Sequence, residues 1–148
     1  AERQMRTALD RLYSQNVSWG DIMIDVTDAI SPGSSITLFS VSKGSFLGAD
    51  NVGEQGKPAG KVGKQVAHLF LKEYFSEAPI DRYMGDILVT PLFLAAGESK
   101  FKVSTLTPHI RTNLHVASLL TGRKYYFEMH KNETTTITIE PNSIRPME

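Results

Sequence analysis

Along the chain, apolar residues recur at helical spacing in several stretches and alternate at strand spacing between them. Met5, Ala8, Leu9 and Leu12 fall at i, i+3, i+4 and i+7. That is the buried stripe of an amphipathic helix over about residues 2–15. Ile22, Ile24 and Val26 alternate with Met23, Asp25 and Thr27, which predicts a strand. Ser31-Pro32-Gly33-Ser34 is a turn cluster, because proline presets one backbone angle and glycine permits others. A strand over about Ser35 to Val41, a tight connection at Ser42-Lys43-Gly44 and a short third strand near Ser45 to Leu47 follow. Val62, Val66, Leu69, Phe70 and Tyr74 form the next stripe, a helix over about Ala59 to Tyr74. Ser76-Glu77-Ala78-Pro79 breaks it, since proline cannot continue a helix without losing a hydrogen bond. In outline this first module, residues 1–78, is taken as α-β-β-α.

The second module, residues 79–148, opens with a helix over about Asp81 to Ala95. Met84, Ile87, Leu88 and Leu92 are expected to point inward, with Pro91 kinking the helix and Gly97 capping its end. Phe101 and Val103 alternate with Lys102 and Ser104 in a strand. Thr107-Pro108 then starts a helix, the hydroxyl as N-cap and the proline at the first helical position. Ile110, Leu114 and Leu119 are available to pack, and Gly122 ends that helix. Tyr125, Phe127 and Met129 mark a strand, Lys131-Asn132-Glu133 a turn, and Ile137 and Ile139 the returning strand. The order α-β-α-β-β fits helices packed on one face of a sheet, so the fold class is α+β, two small helix-on-sheet modules. Both modules would be tidier with one more strand in front. Together with an opening Ala1-Glu2-Arg3 that is already in helical pattern, this leads us to expect a longer parent protein.

Composition narrows the function classes. With 41% hydrophobic and 22% charged residues, the chain falls in the ordinary globular range. Sixteen Lys and Arg balance sixteen Asp and Glu, so nucleic-acid contact must come from a local patch. The absence of cysteine excludes disulfides and thiolate metal sites and fits a cytoplasmic protein, the expected location. No apolar run approaches the roughly 18 residues of a membrane span, so no membrane partner is expected. Five of the eleven glycines lie between Gly48 and Gly63. Gly48 and Gly53 have the first spacing of a phosphate loop, but Glu54 stands where its lysine is required, so no P-loop is present. The stretch reads as a flexible connector. Its neighbours Lys57, Lys61 and Lys64 leave open a local contact to RNA phosphate.

The candidate chemistry lies in Ser104-Thr105-Leu106-Thr107-Pro108-His109-Ile110-Arg111-Thr112-Asn113. His109 falls in the first turn of its helix, where unpaired N–H groups and a partial positive charge favour a bound phosphate. Beside such an anion, a neutral imidazole can act as a nucleophile toward phosphorus. A first-turn histidine is also a common surface or capping residue. Tyr83 and Asp86 share a helix face at i and i+3. Tyr83 can stack on a base. Asp86 can accept from a ribose or from the second nitrogen of His109, or simply complement the helix N-terminus.

The order of these pieces is familiar. Asp81-Arg82-Tyr83-Met84-Gly85-Asp86, the apolar helix through Pro91-Leu92-Phe93-Leu94-Ala95-Ala96-Gly97, Phe101-Lys102-Val103 and Thr107 to Asn113 closely resemble the C-terminal part of the RNA 3′-terminal phosphate cyclases. Gly53-Glu54-Gln55-Gly56-Lys57 with the following helix looks like the insert domain of that family.

The resemblance implies that residues 1–78 are most of the insert domain and 79–148 most of the last repeat of the catalytic domain. It implies a ligase-class activity, the ATP-dependent conversion of RNA 3′-phosphate ends to 2′,3′-cyclic phosphates, with a divalent metal (Mg or Mn). By the same likeness His109 matches the nucleophile that forms the adenylyl-histidine intermediate. Tyr83 matches an aromatic residue against adenine, and Asp86 an acid of the nucleotide pocket. Ile87 departs from the family, which usually has glutamine there, and an apolar side chain cannot supply that amide's hydrogen bonds. The implied partners are RNA 3′-phosphate ends and N-terminal repeats of the same protein. Those repeats hold the metal ligands, so the chain alone is expected to be inactive. The alternatives are a non-catalytic cyclase-like protein of ribosome assembly, which would lack His109, and a plain interaction module.

Overall fold

The computed structural model describes residues 1–141. Four helices and two small sheets make up the described chain, an α+β protein. It divides into two compact units, one of Ala1–Ser40 and Gly48–Phe75, the other of Val41–Leu47 and the described residues from Ser76 onward. No described helix is long and apolar enough to cross a membrane.

The first unit contains α1 (Glu2–Tyr13), most of the hairpin β1 (Ser35–Ser42) and β2 (Ser45–Val52), and α2 (Ala59–Tyr74). Ala8 and Leu12 of α1 meet Val66, Ala67, Phe70 and Leu71 of α2 over Ala49, with Ile36 and Leu38 of β1 against them. Gly63 sets how closely the helices approach. A Cβ there would strike the carbonyl group of Gln4 and come within 3.2 Å of the Ala8 nitrogen. Gly44, at φ 78°, takes the left-handed turn between the two strands that a side chain would strain. β2 runs to Val52, so the expected connector shrinks to Gly53–Pro58.

The strand expected over Ile22–Thr27 is not formed. An alternating pattern supplies two faces, but a strand also needs a neighbouring ladder to take its backbone groups. Among the described residues no strand pairs with this segment. Its two alternating sets are both exposed, Met23 at 90% and Val26 at 84%.

The second unit holds α3 (Arg82–Leu94), β3 (Ser99–Val103), α4 (Pro108–Thr121), β4 (Tyr125–Met129) and β5 (Thr135–Ile139). The sheet is antiparallel in the order β3-β5-β4, with Phe101 and Phe127 both opposite Ile137. Val89 and Phe93 of α3 and Ile110 and Leu114 of α4 pack with Phe101, Val103, Ile137 and Ile139. Lys102 alternates with those inward residues and so lies on the other face of the sheet.

Leu92 packs against the core as expected, but the inward face of α3 is otherwise shifted by a residue from the expected one. Gly85, Val89 and Phe93 are buried, whereas Ile87 is 67% exposed and Met84 is exposed too. Both sets have helical spacing. Gly85 decides the register, because its missing side chain admits Val103 and Ile110, whose carbons would lie 2.6 and 3.2 Å from a Cβ there. Ala95, not Gly97, is the C-cap of α3, and Leu119 is exposed on α4. Gly122 ends α4 as expected, in the left-handed conformation at φ 71°.

Candidate functional site

Two capped helix starts form the candidate site. Asp81 caps α3, its Oδ1 accepting from the backbone N–H groups of Tyr83 at 2.9 Å and Met84 at 2.8 Å. Thr107 caps α4, its hydroxyl accepting from the Ile110 N–H at 3.1 Å, and Pro108 follows at the first helical position. Tyr83 and His109 are each the second residue of their helix, and both are exposed.

The helices run parallel. Near their starts Gly85 lies against Ile110. Just past the end of α4, Arg123 reaches the carbonyls at the end of α3. Tyr83 and His109 therefore stand at the same end of the pair, where both helix dipoles point their positive ends.

One turn further along, Asn113 donates its side-chain amide to Asp86 Oδ1 at 2.5 Å. Asp86 is thus half-buried between the helices and engaged by Asn113, in place of the His109 partner considered from sequence. Asn113 was missed as a contributor. Its signal was its position at i+4 from His109, on the same face one turn on. Arg111 turns the other way, its guanidinium 4.9 Å from the centre of the Phe127 ring.

Arg123, also missed, holds the far end together. It is 4% exposed, and its guanidinium donates to the carbonyls of Leu92 (3.1 Å), Phe93 (2.8 Å), Ala95 (2.6 Å), Gly97 (2.8 Å) and Glu140 (2.7 Å). These include carbonyls that a helix end leaves without intrahelical partners. The left-handed cap at Gly122 turns the chain just before this arginine.

As a chemical arrangement, the shared end offers an imidazole, a phenol ring and two dipole ends to an anionic ligand, with an amide-anchored carboxylate one turn behind. Among the described residues no three His, Cys, Asp or Glu cluster closely enough to hold a metal ion.

Residues 1–74 match the family model of the RNA 3′-terminal phosphate cyclase (RTC), insert domain. This chain belongs to the RNA 3′-terminal phosphate cyclase family. A protein of that name from Pyrobaculum aerophilum is 34% identical over 142 residues, 95% of this chain and 40% of the relative. Another from Methanothermobacter thermautotrophicus is 33% identical over 139 residues, 94% of this chain and 41% of the relative. The relative in Caldivirga maquilingensis is 38% identical over 113 residues, 76% of this chain and 32% of its own length. The chain thus spans about two fifths of the first two cyclases, and the similarity runs through the His109 unit as well as the insert domain.

Proposed function

We propose that this chain carries the nucleophile of an enzyme that converts RNA 3′-phosphate ends to 2′,3′-cyclic phosphates with ATP, and that His109 is that nucleophile. The observation that supports it best is the parallel helix pair with His109 and Tyr83 in the two first turns at one end. In this scheme an imidazole nitrogen of His109 bonds to the α-phosphorus of ATP as the bond to pyrophosphate breaks. The helix ends favour the triphosphate electrostatically. Tyr83 packs on the adenine, and Asp86, oriented by Asn113, accepts from the nucleotide. AMP then passes to an oxygen of the RNA 3′-phosphate. The neighbouring 2′-hydroxyl attacks that phosphorus, gives up its proton and displaces AMP.

The carboxylates described here do not fit a divalent metal site of their own, so its ligands would come from substrate phosphates and from residues outside this chain. Ile87 is exposed beside Asp86, so the amide the family usually has there is replaced by a side chain that makes no polar contact.

The test uses a protein that joins this chain to preceding repeats of the family. ATP labelled at the α-phosphate should leave label that is labile in acid and stable in base, as a phosphoramidate is. His109→Ala should abolish it, since nothing replaces a nucleophile. Label that persists in the variant would assign the chemistry to another residue.

A further inference from the structure

The first unit carries a basic face that the proposed reaction does not use. Lys61, Lys64, His68 and Lys72 of α2 are all exposed and lie within about 80° of one another around the helix, at 100° per residue. The acid of α2, Glu73, is buried on the opposite side. Asn51 of β2 borders this face, donating to the Val62 carbonyl at 3.3 Å and to Gln65 Oε1 at 3.1 Å. Between them lies an open groove of about 510 Å³ lined by Asn51, Lys61, Lys64, Gln65, His68 and Leu69.

Lys57, also a candidate from sequence, is not part of this face. It is paired with Glu54 at 2.8 Å and holds that carboxyl below the usual carboxylate range, to which Lys61 adds a smaller pull. With a net charge of zero over the chain, three lysines on one face are a local concentration of charge.

We propose that this face of α2 holds the phosphodiester backbone of single-stranded RNA; the choice of RNA among polyanions rests on the function proposed above. Lys61 and Lys72 are eleven residues apart, about 16 Å along the axis, room for several successive phosphates. Lysines are mobile point charges, and among the described residues no Phe, Tyr or Trp lines the groove to stack a base, so the contact reads charge and not sequence.

The test measures binding of the intact chain to 5′-labelled 12-nucleotide RNAs ending in 3′-phosphate or 3′-hydroxyl, by fluorescence anisotropy at rising salt. Three neutralised phosphates predict a slope of about −2 in log affinity against log salt, roughly a 20-fold loss between 50 and 200 mM. The variant K61Q/K64Q/K72Q should lose at least about tenfold in affinity at the low salt and flatten the slope, equally for both RNA ends. K61R/K64R/K72R, which keeps the charge, should retain binding, and circular dichroism should match for all three proteins. RNA binding indifferent to the glutamine changes would overturn the proposal. So would equal competition by polyglutamate or by phosphatidylserine vesicles at matched charge. Label at His109 together with such indifference sinks this face alone, whereas lysine-dependent binding without His109 label sinks the adenylylation reading alone.

Discussion

Asn113 and Asp86, twenty-seven residues apart in sequence, are joined at 2.5 Å between the second turns of α4 and α3. The bond couples the two helices just behind the end that carries His109 and Tyr83. It also satisfies one oxygen of a half-buried carboxylate with a neutral donor, which leaves the other oxygen to accept from a ligand.

If this pair orients the nucleotide, Asn113→Ala should leave His109 able to take label but raise the ATP concentration required. A hydrogen bond of this kind contributes about 0.5–1.5 kcal/mol net, roughly a factor of two to ten. Asp86→Ala should give a similar or larger rise. The double variant should be no worse than the Asp86 change alone, because removing either partner removes the shared interaction. Strictly additive effects on the ATP dependence of labelling would mean that the two act separately.

Gly63→Ala should destabilise the first unit, although alanine is the better helix former by about 1 kcal/mol. The added carbon meets backbone, the Gln4 carbonyl group and the Ala8 nitrogen, and backbone inside a packed helix pair cannot move aside as a side chain would. Overpacking of this kind costs about 1–3 kcal/mol. Urea denaturation of the chain should show a lower midpoint. An unchanged or raised midpoint would mean that the helices separate without loss.

Sequence pattern was enough to locate the four helices, the β1–β2 hairpin and the three strands of the second sheet, because each has a clear period or a cap of its own. Thr107-Pro108 and Gly122 marked both ends of α4 by local chemistry. What was not legible depended on partners distant in sequence. Ile22–Thr27 alternates as a strand does, yet no described strand pairs with it, and pairing is not a local property. The register of α3 turned on Gly85, which no hydrophobic count scores, and on the residues that enter its space. At the site, the helix-start position of His109 was readable and the bond from Asn113 to Asp86 was not. Nothing in the local pattern marks Arg123, and only the convergence of five carbonyls explains its burial.

Arg123→Ala should therefore be among the most destabilising changes in the second unit. It would leave several buried carbonyls at the end of α3 without donors, at about 1–3 kcal/mol for each that water cannot reach. A loss of at least about 3 kcal/mol is expected in urea denaturation. Arg123→Lys should recover only part of it, since an ammonium has three donors and no planar fork to span carbonyls on two elements. Near-normal stability of the alanine variant would show that water replaces the guanidinium readily.

The last prediction is that this chain alone does not turn over. Adenylylation needs the triphosphate held for in-line attack and the departing pyrophosphate neutralised. The cations nearest His109 in sequence do not meet that need. Arg111 is stacked over Phe127, and Lys102 lies on the sheet face away from the helices. Arg82 stands at the start of α3, and a single guanidinium is short of what a leaving pyrophosphate requires. No described cluster of carboxylates and imidazoles supplies a divalent ion to share the charge. The chain also spans about two fifths of the curated cyclases it matches, leaving most of their length to provide those groups. Incubated with ATP, Mg or Mn and 3′-phosphorylated RNA, the purified chain should form no cyclic phosphate, and preceding repeats supplied in the same polypeptide or in trans should restore the reaction. Efficient cyclisation by the chain alone would show that its two units already contain a complete active site.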